Sequence, residues 1–410
     1  MKPESHVPVL EYAAEHPLLQ NPGETRVLEH LPQLDGVRAV AVMLVLWYHF
    51  MPESARIPNG PPWGAMGVGL FFTLSGFLIT RILLKCRLQI AAGTTGFWRS
   101  MKQFYVRRFL RIFPLYYAVL IILLVVNPTK FRHRAWWNFL YLTNVRFSYW
   151  PTQKPLEIER HLWSLSVEEQ FYLVWPLLIL VTPRKLLAPL IVCTIALAPY
   201  WRYTQYQMRL HIHEWMMPGC LDLLGIGALL AIFSLPQFGL TRWRDGFVQL
   251  CGIIGLPLFF TYVAQHLNIT QTYPRGITAT SFDWLEAAGG ATYPVTALAA
   301  VWLIGMAAKG FRGPIGWFLT AAPVVYVGRI SYGLYVIHMF VPHLLLWLAP
   351  SVYAKHGSTW WAFGTYVAIS VGLASLSWYG FEAPINRLKR YFEYDKRAAA
   401  KAPTSEVVSA

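Results

Sequence analysis

Charged residues are scarce in this chain, and acidic residues are fewer than basic ones. Only 13% of its 410 residues are Asp, Glu, Lys or Arg, whereas 55% are hydrophobic, and the mean hydropathy is +0.39. A soluble domain carries roughly a quarter charged residues. The composition therefore argues against a soluble protein and predicts a polytopic protein of the membrane.

The imbalance of charge is large, with 20 acidic against 35 basic residues and a formal net charge of +15. A basic balance can point to nucleic acid, but membrane proteins concentrate Lys and Arg in cytoplasmic loops, where they set the orientation. We therefore expect no nucleic-acid partner. We also expect no metal site, because the four cysteines show neither a CxxC nor another metal-ligand spacing.

Several motifs of known enzyme classes are missing. The sequence contains no Walker loop, no GxSxG, no HExxH and no glycine fingerprint for a dinucleotide. These absences argue against a P-loop NTPase, a nucleophile-elbow hydrolase, a zinc protease and a nicotinamide enzyme. No bound cofactor is expected.

Ten apolar segments are long enough, or nearly so, to span a bilayer. They lie at about 34–52, 66–84, 110–126, 164–182, 187–201, 217–234, 247–265, 293–308, 324–348 and 359–381. The pattern predicts an all-α bundle of about ten transmembrane helices. Their even number places both termini on one side, and the excess of Lys and Arg there predicts that this side is the cytoplasm. The transmembrane domain would cover 31–390, between a polar cytoplasmic extension (1–30) and a basic tail (391–410) that we expect to be disordered.

The first apolar segment, LDGVRAVAVMLVLWYHF, carries Arg38 near one end and His49 near the other. On a helix, residues eleven positions apart lie within about 20° of the same face and ~16 Å apart along the axis. Ionisable residues inside a span usually face the bundle interior and mark a functional path. The alternative is that Arg38 reaches the lipid headgroups and His49 only satisfies a buried hydrogen bond.

The fourth segment begins with HLWSLSVEEQF. His161, Ser164 and Glu168 recur at i, i+3 and i+7 and share one face of a helix, whereas Glu169 is rotated by ~100° and points elsewhere. A carboxylate and a histidine that enter from the same membrane side, as Glu168 and His49 would, can form a general base with its orienting partner. The alternative is a carboxylate that stabilises the helix N-terminus.

The third segment is preceded by VRRFLRIFPLYY, with Arg107, Arg108 and Arg111 where the span is expected to leave the cytoplasm. Arginine binds phosphate in a bidentate manner. The cluster can therefore hold lipid headgroups or the phosphates of a cytosolic donor. The alternative is that these arginines only anchor the span on its cytoplasmic side.

Three further intramembrane features have both structural and functional interpretations. His338 in GRISYGLYVIHMF is expected to support another residue, because a single buried histidine is more often structural. Asp222 in CLDLLGIGALLA can position a substrate or pair with a neighbouring helix. The small residues Gly69, Ser75 and Gly76 of GVGLFFTLSGFLIT predict close helix packing.

Taken together, six motifs in order resemble the acyltransferase-3 family of integral membrane acyltransferases, which acylate sugars and other hydroxyl acceptors. The motifs are LDGVRAVAVMLVLWYHF, GVGLFFTLSGFLIT, RRFLRIFPLYY, HLWSLSVEEQFYLVWP, ISYGLYVIHMF and FEAPINR. The resemblance runs from about Leu34 to Leu388. It implies that His49 is the catalytic base, that Arg38 is essential in the same span and that Glu168 lies at the active site.

The resemblance also implies a donor and an acceptor. Arg108 and Arg111, with Arg107 beside them, would handle acyl-CoA as co-substrate. His161, Ser164, His338 and Asp222 would support the centre or contact the acceptor; the arginine that the family usually shows before the acidic residue of its sixth span is missing from MMPGCLDLL.

The resemblance implies a multi-pass enzyme of the cytoplasmic (inner) membrane. It would transfer an acyl group, acetyl by default, to a carbohydrate hydroxyl, in a surface polysaccharide or its lipid-linked precursor. Three alternatives are a small-molecule acceptor such as a macrolide-type sugar, a transporter or flippase that does no chemistry, and a phospholipid-binding scaffold.

Overall fold

The computed structural model describes residues 31–57, 60–149, 157–208, 215–238, 240–267, 292–352 and 358–393. All regular elements of these residues are helices, which confirms the all-α class. The predicted extension 1–30 and most of the predicted tail lie outside the described residues. A short 3-10 turn, Leu388–Phe392, continues two residues past the predicted end of the domain.

Sixteen α-helices are numbered here along the described chain. They are α1 Pro32–Phe50, α2 Trp63–Ala91, α3 Phe97–Val126, α4 Ala135–Phe139, α5 Thr143–Tyr149, α6 Glu157–Arg160, α7 Leu162–Val181, α8 Arg184–Gln207, α9 Leu221–Phe233, α10 Thr241–Leu267, α11 Thr292–Lys309, α12 Gly313–Thr320, α13 Ala322–Ile337, α14 Phe340–Leu348, α15 Trp360–Ser377 and α16 Ala383–Arg387. Each of the ten predicted apolar segments coincides with one of these helices or with a consecutive pair.

Seven stretches of the described chain are helical, long and apolar enough to cross a membrane. They are α2, α3, α7 with the turn before it, α8, most of α10, α11, and α15 with its continuation to Phe392. The pair α13 and α14 forms an eighth candidate, bent by 62° at the break between them. The polytopic membrane class is thereby confirmed, and the side on which the termini lie stays a prediction.

Helix α2 lies at the centre of the bundle and packs against α1, α7, α9 and α11. Its approach to α9 is so close that a Cβ on Gly76 would stand 1.9 Å from the carbonyl oxygen of Leu224. In the same way a Cβ on Gly227 would stand 2.0 Å from the carbonyl oxygen of Thr73. Only glycine permits backbones to meet at this distance, which confirms the predicted small-residue packing at Gly76.

The segment between α3 and α7 folds back along α3. Tyr116 and Tyr117 of α3 donate to the carbonyl oxygens of Asn138 and Phe139, at 2.9 and 3.0 Å. Tyr141 stacks on Tyr116 with ring centroids 4.3 Å apart. The stretch AWWNFLYL (135–142) therefore lies against the bundle.

A buried ion pair holds the same segment. Glu159 is fully buried and accepts hydrogen bonds from Arg146, at 2.8 Å, and from the amide of Asn138, at 2.9 Å. A buried carboxylate needs such partners, because its desolvation is costly. Arg146 is thus a structural cation.

Candidate active site

Five helices, α1, α2, α3, α7 and α13, enclose a cavity of about 100 Å³. Its polar lining is Arg38, Ser75, Arg108, Arg111, Ser164, Glu168, Tyr172, Ser331, Tyr332 and Tyr335. Five of the ten site residues predicted from the sequence are in this set. Polar side chains from separate parts of the chain thus converge inside an apolar bundle. Burying such groups is costly, so their convergence indicates a functional site.

The cavity is elongated along the helix axes, and we refer to it as the channel. Its lining extends from Ser164 to Tyr172 on α7 and from Val68 to Ile79 on α2. At 1.5 Å per residue these stretches measure ~12 and ~16 Å. Arg108 lies over the Tyr172 ring, 5.7 Å from its centroid, at one end, and Ser164 lies at the other. We refer to these as the arginine end and the serine end.

Charges of both signs meet toward the arginine end. Arg111 is close enough to Arg38 and Arg108 to interact with both electrostatically, and Arg108 and Arg111 in turn attract Glu168. Arg38 is held by Asp35, one turn earlier on α1, through an ion pair of 2.5 Å. A third carboxylate, that of Glu382, also attracts Arg111, so three arginines and three carboxylates meet at this end of the channel.

Glu168 is held by a serine that the sequence analysis assigned to helix packing. The Ser75 hydroxyl donates to Oε1 of Glu168 at 2.6 Å, and the Tyr172 hydroxyl donates to Ser75 Oγ at 3.0 Å. The small side chain at position 75 gave no reason to expect a polar contact with a helix 93 residues away. Glu169 points elsewhere, as predicted, and lines a second cavity of about 460 Å³ on the other side of Arg108 and Tyr172.

The three arginines of α3 do not act as one group. Arg108 and Arg111 line the channel, whereas Arg107 donates to the carbonyl oxygens of Lys389 and Phe392, at 3.0 and 3.3 Å. The helix begins at Phe97 rather than near residue 110, so Arg111 lies at its midpoint, inside the bundle. The structure therefore separates Arg107, which binds the C-terminal turn, from the pair in the channel.

Beyond the serine end lies a cluster of three histidines, His49, His161 and His338. The ring centroid of His338 lies 5.0 Å from that of His49 and 4.9 Å from that of His161. His161 and His338 are buried, whereas His49 is partly exposed. His49 is thus the member of the cluster that an outside molecule can reach.

The hydrogen bonds of the cluster assign its tautomers. Nδ1 of His338 lies 2.7 Å from the carbonyl oxygen of Tyr335, and Nδ1 of His49 lies 3.0 Å from that of Val45. Because a carbonyl oxygen only accepts, both Nδ1 atoms carry the proton. Nε2 of His338 then accepts from Nδ1 of His49 at 3.3 Å, and Nε2 of His49 keeps a lone pair that can serve as a base.

This arrangement differs from the predicted partnership of His49 and Glu168. The Nδ1 hydrogen of His49 is shared between the carbonyl oxygen of Val45 and Nε2 of His338, whereas the carboxylate of Glu168 accepts from Ser75 within the channel. His338 contacts His49, and its supporting role stays a prediction. His161 also belongs to the cluster, with Nε2 3.1 Å from the carbonyl oxygen of Val336.

Asp222 has a structural partner. It forms a buried ion pair with Arg202 of α8 at 2.7 Å, and Arg202 also donates to the carbonyl oxygen of Gly219 at 2.5 Å. The Arg202 guanidinium lies over the ring of Tyr293, 4.5 Å from its centroid. Of the two interpretations of Asp222, the structure shows pairing with a neighbouring helix.

The acyltransferase domain model of the acyltransferase-3 family matches residues 31–379, most of the chain. The chain therefore belongs to the acyltransferase-3 family of membrane acyltransferases, as its motifs indicated.

Among curated proteins, the chain is similar to the peptidoglycan O-acetyltransferase OatA of Listeria monocytogenes serovar 1/2a, with 26% identity over 384 residues. A putative O-acetyltransferase of Staphylococcus aureus strain COL is 25% identical over 399 residues. Each match covers 88% of this chain, but only 56% and 58% of the relative. The chain thus spans a little over half the length of these relatives. A putative peptidoglycan O-acetyltransferase of Bacillus subtilis strain 168 is 33% identical over 174 residues, or 38% of this chain and 25% of the relative. No solved structure matches the chain.

Proposed function

We propose that this protein is a membrane-embedded O-acyltransferase that moves an acyl group, acetyl by default, from cytosolic acyl-CoA to a carbohydrate hydroxyl. The observation that carries the proposal is the channel, which leads from Arg108 and Arg111 toward the partly exposed base His49. The family and the O-acetyltransferase names of its relatives support the reaction class.

The donor side of the proposal rests on the shape and charge of the channel. An acyl-CoA is an anionic head on a thin, flexible arm that ends in the thioester. Arginines bind phosphate with paired hydrogen bonds, so Arg108 and Arg111 would take the anionic part of the donor. An elongated channel of ~12–16 Å suits the arm. No bound cofactor is needed beyond this co-substrate.

The chemistry would take place at His49. Its Nε2 takes the proton of the acceptor hydroxyl as the hydroxyl oxygen bonds to the thioester carbon. The tetrahedral adduct then breaks its carbon–sulfur bond, and the thiolate takes the proton back from the His49 imidazolium. His338 accepts from Nδ1 of His49 throughout, which holds the reactive tautomer and stabilises the imidazolium.

The acceptor would approach from the side opposite to the donor. His49 is the exposed member of the histidine cluster, and it lies at the end of α1 away from Arg38. With both termini and the arginine end in the cytoplasm, the acceptor is a glycan outside the cytoplasmic (inner) membrane. The relatives' names make peptidoglycan the first candidate, and a lipid-linked precursor of a surface polysaccharide follows.

The test compares envelope glycans from four isogenic strains by mass spectrometry. The strains lack the protein, or carry the wild type, His49→Ala or His343→Ala at matched protein level. His343 is a histidine of α14 whose Nδ1 lies 3.2 Å from the carbonyl oxygen of Met339, and it does not line the channel. We expect an acyl increment in the wild type and in His343→Ala alone.

Other outcomes overturn separate parts of the proposal. An increment that persists in His49→Ala would show that this histidine is not the base. Identical glycans in all four strains would exclude a glycan acceptor and favour a small-molecule acceptor. Transport of the donor without any ester product would favour a transporter.

A further inference from the structure

Two hydroxyl groups from different helices meet at the serine end of the channel. Ser164 Oγ of α7 and the Tyr335 hydroxyl of α13 lie 2.5 Å apart. Both side chains are buried, with 4% and 6% of their surface exposed. The residues are 171 positions apart in the sequence, so their contact is a product of the fold.

These hydroxyls separate the channel from the histidine cluster. Ser164 follows His161 by three residues on α7, and Tyr335 precedes His338 by three residues on α13. The Tyr335 ring centroid lies 5.7 Å from that of His161 and 5.6 Å from that of His338. A carbonyl group carried along the channel toward His49 arrives beside both hydroxyls.

The present partners of the two hydroxyls leave them able to turn. One of the two hydroxyls donates to the other at 2.5 Å, and the remaining hydrogen reaches the carbonyl oxygen of His161, which lies 3.2 Å from Ser164 Oγ and 3.1 Å from the Tyr335 hydroxyl. A hydroxyl hydrogen rotates about its C–O bond to suit its acceptor. Both can therefore redirect toward a third oxygen without a change of rotamer, and an oxygen that gains negative charge is a stronger acceptor than a backbone carbonyl.

We propose that Ser164 and Tyr335 form the oxyanion site of the acyl transfer, an inference that rests on the function proposed above. When the acceptor oxygen bonds to the thioester carbon, the carbonyl double bond opens and its oxygen becomes an anion. The two hydroxyls donate to this anion while the acceptor's proton is on His49. The anion re-forms the carbonyl as the carbon–sulfur bond breaks, and the two hydroxyls return to each other and to the carbonyl oxygen of His161.

Such donors act in the transition state more than in the bound ground state. Removing either one should therefore lower kcat and leave the binding of the donor unchanged. If the two hydroxyls only stabilised the fold, removing either one would behave differently. It would disturb the channel and weaken donor binding as well as lower kcat.

The matched controls are Ser166 and Tyr326. Ser166 is a buried serine of α7 that donates to the carbonyl oxygen of Leu162 at 3.2 Å, and Tyr326 of α13 donates to Ser375 at 2.7 Å. Neither lines the channel. Ser166→Ala and Tyr326→Phe thus remove the same hydroxyls from the same helices at positions outside the proposed site.

The experiment uses the full chain in nanodiscs, labelled acetyl-CoA and the unacylated glycan fraction of the deletion strain. We expect Ser164→Ala and Tyr335→Phe each to lower kcat by about 100-fold, with the KM for acetyl-CoA unchanged. Affinity for a ketone analogue of acetyl-CoA, which keeps the carbonyl and cannot be cleaved, should also be unchanged. The double variant should lose less than the product of the single effects, because both donors serve one oxygen.

Two results would overturn the inference. One is wild-type kcat in both single variants. The other is an equal loss in kcat and in affinity for the ketone analogue, which would mean a structural role. Absence of transfer by the wild-type protein is a different result, since it contradicts the proposed function itself.

Discussion

Nε2 of His338 lies 3.3 Å from Nδ1 of His49, so the buried imidazole supports the tautomer that the carbonyl oxygen of Val45 gives to the exposed one. We predict that His338→Phe lowers acyl transfer by about 10- to 100-fold, since a hydrogen bond to a charged group contributes about 1.5–3 kcal/mol. His49→Ala should lower it further, by ~10²–10⁴-fold. Initial rates with labelled acetyl-CoA measure both. His343→Phe is the control, and equal rates in it and in His338→Phe would contradict the assignment.

We expect the rate of acyl transfer to depend on the carboxylate of Glu168 and not on that of Glu169. Glu168→Gln removes the charge that accepts from Ser75 and that faces Arg108 and Arg111 in the channel. We predict a loss of transfer of about 10- to 100-fold, for a charge-assisted bond of about 1.5–3 kcal/mol. Glu169→Gln, at the next position but outside the channel, should retain most activity in the same assay. Parallel loss in the two variants would rule out a specific role for Glu168.

The arginines of α3 should divide into two groups. Arg108→Gln and Arg111→Gln are expected to raise the KM for acetyl-CoA, because each removes a cation from the channel. Lysine should rescue them only in part, since it cannot form the paired hydrogen bonds of a guanidinium. Steady-state kinetics at varied acetyl-CoA measure the effect.

Arg107→Gln should behave in the opposite way. It loses the bonds to the carbonyl oxygens of Lys389 and Phe392, so its melting temperature in detergent should fall while its KM for acetyl-CoA stays near that of the wild type. A raised KM for acetyl-CoA without a lower melting temperature would instead show that Arg107 takes part in donor binding.

The pair of Arg202 and Asp222 makes a prediction about stability. Removing one partner leaves a buried charge uncompensated, which costs about 3–5 kcal/mol. Arg202→Met and Asp222→Leu are each expected to lower the melting temperature in detergent, and the double variant should recover much of the loss. The rate of transfer per folded molecule should change little. A double variant as unstable as the sum of the single changes would show that the residues do not act as a pair.

The parts of the structure that were predictable from the sequence are those that depend on one helix at a time. Apolar length located all ten segments, and helical periodicity placed Ser164 and Glu168 on one face and Glu169 on another. The same periodicity put Arg108 and Arg111 together. These predictions succeed because the geometry of a single helix follows from residue spacing alone.

Contacts between helices could not be predicted from the sequence. Nothing in the spacing brings Ser75 to Glu168, Tyr335 to Ser164 or Arg202 to Asp222, because each contact depends on how two helices pack. The predicted contact of His49 with Glu168 is not seen for this reason: His161 meets the histidine cluster, and Glu168 lies seven residues, or ~10 Å, further along the same face of the helix.

The close contacts of Gly76 with Leu224 and of Gly227 with Thr73, between α2 and α9, constrain how the molecule can work. A transporter that alternates between two open states must slide its helices past one another. Backbones that touch at glycines resist sliding, because a shift brings a residue with a side chain to the contact. Ser75 lines the channel and is next to Gly76 in the sequence, so this part of the channel wall is fixed by the same contact between α2 and α9. Passage of an acyl group from one face of the membrane to the other would then depend on the reach of its flexible carrier through a stationary protein. Under the proposed function, only the acyl group would cross the membrane, while the head of the donor would stay on the cytoplasmic side and the sugar on the opposite side.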